Sequence, residues 1–411
     1  MDFKPLSEVK DRREFHEAFQ GAMGGAHQNL RALWHFERDQ NLPKTYLIEF
    51  HPAAGSCQDH KWTPAAVFSA FERAKTHHDL AVKRTEDETL LFLENSNGKE
   101  RSEFIVDCLD ARFLAFHTLS KATVADSFIH DSLTRYEPEF DMFWLPVQLL
   151  EDVAKRELVT GWEVRYDPLV DVDDAGPAVA VSNEMDDGSA EEEDVEPPAR
   201  SLRRPRVNME LEHPEAFDKY KRLVSADGLL PDMPLNAIDA ERLDEHSATY
   251  ARARIKSNGK MTGRGPDFAA YLQIVNGTLD SYSSIVRALE SKYWLKVDGG
   301  QRDDVLDIFL SGEPFSLKFS RCIDVNALAR HMFDCKRPFR LMGEPRTLER
   351  DYVVCDAIDL HVNQRVGFEI APSFMRIYLY DGTCGNTLIR IIRSLQHFVD
   401  SKLKHPLLEA S

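Results

Sequence analysis

The sequence contains no CxxC pair, no HExxH, no Walker-type GxxxxGK[ST] and no long apolar run. Its six cysteines, at Cys57, Cys108, Cys322, Cys335, Cys355 and Cys384, lie far apart. That spacing excludes a disulfide framework or a cysteine zinc site and predicts reduced, mostly buried thiols. No segment approaches the roughly 18 to 20 consecutive apolar residues that span a bilayer. The opening stretch MDFKPLSEVKDRREFHEAF carries acid from its second position, so neither a signal nor a transit peptide is visible. The expectation is a soluble, cytoplasmic protein with no membrane association. Positive charge is also in short supply: 51 Lys and Arg face 69 Asp and Glu, a formal net charge of -18. Nucleic-acid binding through the overall field is thereby excluded, and local basic patches are not.

What is present is a globular composition, 43% hydrophobic and 29% charged over 411 residues, a length that accommodates two ordinary cores. The clearest boundary is DPLVDVDDAGPAVAVSNEMDDGSAEEEDVEPPARSLRRPR. From Asp167 to Glu196 every charged residue in it is acidic, and too little apolar surface is available to offset ordering entropy. Residues 167–206 read as a disordered acidic linker ending in a basic run. The fold class expected is α+β: two domains, each a mainly antiparallel sheet packed by helices. The N-terminal domain covers 1–166. The C-terminal domain covers 207–411, helical over 207–292 and α+β over 293–403.

Local patterns support this division. TYLIEF, DLAVKR, TLLFLEN, EFIVDCLD and FLAFHTLS read as strands, and a helix enters through Thr63 with Pro64 at its first position. Near the C-terminus, period-two alternation puts Val354, Ile358 and Leu360, then Val366, Phe368 and Ile370, then Met375, Ile377 and Leu379 on one apolar face. Asp359, His361, Arg365, Glu369, Arg376, Tyr378 and Tyr380 then share the other. Asp356 falls on the apolar side, where it needs a partner or a sheet edge. The terminal helix carries Leu388, Ile391, Ile392, Leu395, Phe398, Val399 and Leu403 as one stripe.

Three places carry candidate chemistry. Asp356, Asp359, His361 and Glu369 are the catalytic candidates, with oxygen and imidazole donors suited to a divalent ion such as magnesium or manganese. The competing reading is a solvated sheet face with cross-strand ion pairs, and no resident metal is expected on it. ARARIKSNGKMTGRG reads as a basic glycine-rich loop, with Arg252, Arg254, Lys256, Lys260 and Arg264 placed to meet phosphates. YLYDGTCGNT links a strand to the terminal helix, and Gly382, Gly385, Asn386, Thr387 and Arg390 make it a weak anion site or a simple capped turn. His51, Cys57 and His60 are too few for a structural zinc site. The aromatic run FDMFWLPVQLLEDV is either core or a partner surface.

The function expected is a non-catalytic binding or assembly protein without a cofactor, engaging a protein partner and, through the basic loop, DNA or RNA. The alternative is a divalent-metal-dependent hydrolase or nuclease built on the C-terminal sheet.

Overall fold

The computed structural model describes residues 5–32, 42–52, 62–97, 100–166, 207–225, 233–243, 249–302 and 305–403; the expected acidic linker lies outside them. Seven strands precede residue 167: β1 (Lys44–Phe50), β2 (Leu80–Arg84), β3 (Leu90–Asn97), β4 (Glu100–Asp107), β5 (Phe113–Thr118), β6 (Phe140–Met142) and β7 (Leu158–Tyr166). Four follow residue 206: β8 (Val207–Glu212), β9 (Leu235–Leu243), β10 (Tyr250–Lys256) and β11 (Lys260–Arg264). These eleven form one antiparallel sheet in the order β2-β3-β4-β5-β1-β11-β10-β9-β7-β8, with β6 also on β1. The first sheet thus takes strands from both sides of the acidic stretch.

The remaining strands are β12 (Trp294–Arg302), β13 (Val305–Ser311), β14 (Phe315–Lys318), β15 (Leu341–Gly343), β16 (Arg346–Glu349), β17 (Tyr352–Asp359), β18 (Gln364–Ala371) and β19 (Phe374–Tyr380). They form a second sheet ordered β13-β12-β19-β18-β17-β15, in which β12 and β19 run parallel and the other pairs antiparallel. The architecture is α+β with two antiparallel-rich sheets, as expected. Among the described residues no helix is long and apolar enough to cross a membrane.

Two local expectations are corrected. Residues 207–292 hold two helices, Ala216–Val224 and Phe268–Tyr293, but also four strands that complete the first sheet. The supposed basic loop is the β10–β11 hairpin. Its Lys256–Gly259 turn closes with Gly259 N–H donating to the Lys256 carbonyl (3.0 Å), and Gly259 sits at φ 78°, a conformation that suits glycine. In β10 the alanines point inward and the arginines outward. On the neighbouring strand β11 the Phe268–Tyr293 helix lies close: a Cβ on Gly263 would stand 3.0 Å from the Tyr271 ring.

The second correction is one of phase. In β17 Val353, Cys355, Ala357 and Asp359 face inward, while Val354, Asp356 and Ile358 face outward. The register pairs Asp356 with Gly367 and Ile358 with Arg365, so β17 runs opposite to the expected alternation. A one-residue slip reverses every side chain. β18 and β19 keep the expected phase, with Val366, Phe368, Ile370, Met375, Ile377 and Leu379 all inside.

Two helices join the sheets. Phe268–Tyr293, capped by Asp267 through the Ala270 N–H (3.0 Å), packs on β9, β10 and β11 and reaches β12 and β19. The terminal helix Asn386–Phe398 is buried on every side from Asn386 to His397, not along one stripe. Burying Leu388, Ile389, Ile391, Ile392 and Leu395 contributes about 1.5–3 kcal/mol each. Its polar residues therefore need partners inside. Gln396 accepts from Val147 N–H (3.0 Å) and donates to Gln148 (2.7 Å) and to the Leu403 carbonyl (2.8 Å). A continuous apolar core runs through both sheets, and the aromatic run Phe140, Met142, Phe143, Trp144 and Leu145 belongs to it.

Candidate functional site

The terminal helix brings charge into the seam between the sheets. β1 is buried along its whole length, and Glu49 near its end is a carboxylate with no exposed surface. Arg112, at the entry to β5, answers it: Nε donates to Glu49 Oε1 (2.8 Å), while Nη1 and Nη2 grip Glu290 on the long helix at 2.9 and 2.5 Å. Glu290 also accepts the Gly385 backbone N–H (2.8 Å), which pins the loop ahead of the terminal helix. The same loop is fixed by Gln364, which accepts from Cys384 N–H and donates to the Gly382 carbonyl, both at 2.9 Å. Cys384 Sγ then comes to rest 3.0 Å from His51 Nε2 and 3.4 Å from Glu49 Oε2. Glu49 Oε1 is itself 3.2 Å from His51 Nε2.

A second group of charges frames this one. At the end of β17, Asp359 accepts from the backbone N–H of His361 (2.9 Å), from the Thr387 hydroxyl and from Arg390 Nη2 (2.6 Å). Arg390 Nη1 donates to Asp141 on β6 (3.0 Å), and Asn386 donates to the same carboxylate (3.2 Å). Arg340 stands 3.8 Å from Asp141. His361 is wholly buried, and neither of its ring nitrogens has a hydrogen-bond partner. The donor atoms of Glu49, His51 and His361 all lie within 4.8 Å of one another.

The electrostatics follow from this geometry. Burial works to raise the Glu49 carboxyl, but Arg112 and His51 hold it well below the usual carboxylate range. Burial works to lower His51, but Cys384 and Glu49 pull it up to about 10. His361, buried without a hydrogen-bonded acid, is pushed down to about 4 and is neutral. Against its burial, Arg390, the Thr387 hydroxyl and the His361 backbone N–H hold the Asp359 carboxyl below its usual range.

A relay triad needs the acid on the imidazole nitrogen remote from the thiol, so that it orients the base. Here the carboxylate oxygen and the sulfur both approach Nε2, and that role is not met. The three atoms converge as ligands do. Around a tetrahedral metal with bonds of roughly 2.0–2.3 Å, donor atoms are separated by roughly 3.4–3.6 Å. Taken through Glu49 Oε1, the separations of 3.0, 3.2 and 3.6 Å among Cys384, His51 and Glu49 come within about half an ångström of that polyhedron.

The structure thus brings together Asp359, His361, Asn386, Thr387 and Arg390 from two separate sequence candidates, and leaves the others outside. Asp356 is on the outer sheet face with Arg365 (3.4 Å) and Tyr380 (3.1 Å), and Glu369 pairs there with Arg376 (3.1 Å) and Tyr378 (2.8 Å). Gly382 takes the positive φ of 80° expected of the turn, but Gly385 does not. Gly385 is required by close approach, since a Cβ would meet the Val286 carbonyl at 2.9 Å. Asn386 and Thr387 do not cap the helix with their side chains; they reach Asp141 and Asp359 instead.

The hairpin cations are answered by nearby carboxylates. Arg252 pairs with Glu241 (3.0 Å), Arg254 with Glu163 (2.7 Å), Glu210 and Asp239, and buried Lys260 with Asp126 (2.5 Å). Arg264 acts on Asp239, and Lys256 is half-buried. Of the trio His51, Cys57 and His60, the last two lie outside the described residues. Glu49, Arg112, Asp141 and Glu290 escaped the sequence reading. The available signal was a solitary carboxylate inside an apolar run, TYLIEF for Glu49 and FDMFW for Asp141.

The chain belongs to the MJECL33-like protein family, whose model matches residues 3–407. It is similar to the uncharacterized protein MJECL33 of Methanocaldococcus jannaschii, at 21% identity over 428 aligned residues covering 97% of this chain and 94% of the relative. No solved structure matches it.

Proposed function

We propose that this member of the MJECL33-like family is a divalent-metal-dependent hydrolase whose metal is held at the seam by Glu49, His51 and His361. The observation that carries the reading is His361: a wholly buried imidazole, neutral, with neither nitrogen hydrogen-bonded, 3.9 Å from Asp141 and offering a donor atom within 4.8 Å of those of Glu49 and His51. Leaving such a group unsatisfied costs about 1–3 kcal/mol, which a metal–nitrogen bond offsets. Two histidines and one carboxylate form the ligand set of hydrolytic zinc sites. A metal so held polarises a carbonyl or phosphoryl oxygen and brings the pKa of bound water near 7. Arg112 positions Glu49, and Asp359 positions the backbone of His361, as supporting residues around metal ligands do.

We favour this reading over a nucleic-acid contact through the basic hairpin, because Arg252, Arg254 and Lys260 have carboxylate partners. A cytoplasmic setting suits it: Cys108, Cys322, Cys335 and Cys355 are free thiols. The test is hydrolysis by the full-length protein, metal-stripped and then reloaded, on activated carboxylic and phosphate esters and labelled nucleic acid. Turnover that returns with metal, disappears in Glu49→Gln and survives in Arg365→Ala is expected. Turnover indifferent to chelation, or none on any of these substrates with metal bound, overturns it.

A further inference from the structure

We infer that Arg393, with Arg165 and Tyr220 beside it, forms a buried site for a small oxyanion of the phosphate class, separate from the Glu49–His51–His361 centre. Arg393 lies on the terminal helix and is 3% exposed. Its Nη2 donates to Asn236 Oδ1 and to Ser257 Oγ, both at 2.9 Å, and both acceptors are neutral. Nε and Nη1 are buried and have no hydrogen-bond partner. Most of the N–H groups of this guanidinium are therefore idle. Arg112, Arg254 and Arg390 are shielded from solvent too, but each holds at least two carboxylates. Among the described residues Arg393 holds none. Glu163, the carboxylate that acts on it, is committed to Arg254 (2.7 Å) and to the Asn236 amide (2.8 Å).

The surroundings add positive charge. Arg165 on β7 acts on Arg393 as a like charge, and Tyr220, on the helix Ala216–Val224, is the other group set against it. Burial is the main force on Arg393 and draws it down to about 10, which leaves it protonated at neutral pH. A buried charge without a counter-charge is costly, and only an anion relieves that cost. Water would accept the idle N–H groups but brings no charge. Tyr220 accepts from the Leu235 backbone N–H, which leaves its own proton to give. Donors thus converge from β7 and from two helices. A tetrahedral oxyanion has acceptor oxygens on every side to meet them, and arginine is the side chain best suited to such oxygens. The approach runs past Arg165 and Asn236, which are half-buried, to Arg393 and Tyr220, which are buried.

The experiment is calorimetric titration of inorganic phosphate, and of a phosphomonoester in a parallel arm, into the full-length chain at constant ionic strength in chloride, with melting followed in the same buffers. Expected are saturable binding of one anion per chain and a melting midpoint raised by a few degrees at saturation. Both are expected to be the same after metal stripping, which separates this site from the metal centre. Arg165→Ala is expected to weaken binding about tenfold or more. Arg393→Met is expected to lose the binding and, relieved of an uncompensated buried charge, to melt in chloride no lower than the unaltered chain. Tighter binding of the monoester makes the ligand a phosphorylated small molecule, and tighter binding of phosphate makes it the free ion; either supports the site. No saturable binding in either arm, binding that needs metal, or binding undiminished in Arg393→Met overturns the inference. An Arg393→Met chain that melts well below the unaltered one, or fails to fold, overturns it as well, because Arg393 then serves only to hold Asn236 and Ser257.

Discussion

Arg390 tests whether the seam network holds the two sheets together or merely occupies space between them. Its guanidinium has no exposed surface and spans the junction, with Nη2 2.6 Å from Asp359 of the second sheet and Nη1 3.0 Å from Asp141 of the first. Arg390→Met keeps most of the volume and strands both carboxylates. Breaking a buried pair from one side costs about 3–5 kcal/mol, because the remaining charge is left in low dielectric. Two features place the expectation toward the lower end. Asp359 retains the Thr387 hydroxyl and the His361 N–H, and Asp141 retains Asn386 and the more distant Arg340. About 3 kcal/mol is therefore expected, a large share of the roughly 5–15 kcal/mol that stabilises an ordinary protein. The assay is equilibrium unfolding in urea, with the loss read as a lower midpoint at unchanged slope. The double variant Arg390→Met/Asp359→Asn removes one stranded charge and is expected to recover about 1–2 kcal/mol, a coupling of the size contacting residues show. A loss below about 1 kcal/mol, or no recovery in the double variant, would refute the ascription of cohesion to these ion pairs.

Acid stability has a separate source in His117. Burial depresses its pKa to about 4, and Tyr271 donates to Thr45, whose hydroxyl lies 2.9 Å from Nδ1, an arrangement suited to the neutral ring. Between pH 6.5 and about 4 the unfolded chain binds a proton that the native chain does not, so stability falls with acidification by about 1.4 kcal/mol per pH unit. His117→Phe should flatten that slope in chemical denaturation series across this window. Arg254→Ala removes the partner of buried Asp239 and of Glu163, and should cost about 2–3 kcal/mol in thermal or urea unfolding. Retention of the same variant on immobilised nucleic acid should match the unaltered chain at every salt concentration; a shallower salt slope would restore the hairpin as a phosphate contact. Gly259→Ala forces a side chain into φ 78° with its Cβ 2.8 Å from that of Phe143, and a loss of about 2 kcal/mol or more is expected in the same measurements.

The limits of legibility in this chain are physical and local. β18 and β19 announce themselves because their apolar residues sit strictly at every second position and one face meets the core. β17 does not, because Val353 and Val354, or Ala357 and Ile358, offer an apolar residue in either phase. Its choice is made by its neighbours, which place Gly367 opposite Asp356 and let Tyr380 reach that carboxylate from the adjacent strand. β10 hid for a different reason: of its inward residues Ala251, Ala253 and Ile255 only the last is large, and the Phe268–Tyr293 helix that covers them is visible only once the chain is folded.

The site divides along the same line. Asp359, His361, Thr387 and Arg390 could be picked out because each lies beside a turn or a helix start, where short-range rules apply. They could not be joined to Glu49, Arg112, Asp141 and Glu290, since the contacts run over long separations: 335 residues from Cys384 to Glu49, 249 from Arg390 to Asp141. Yet the burial cost gives a usable rule. A carboxylate fixed within a run of aliphatic and aromatic residues, as in TYLIEF or FDMFW, has no local means of being satisfied. It must meet a distant cation, and an arginine embedded in an apolar helix, such as Arg390 in LIRIIRSL, must meet a distant anion. Matching such solitary charges across a sequence would have nominated Asp141 and Arg390 as a pair, and Glu49 as a carboxylate in need of a distant cation, before any fold was known. His361, picked out by its place beside the turn, carries no charge for such a rule to match, and only its ring nitrogens without hydrogen bonds, seen in place, show what it lacks.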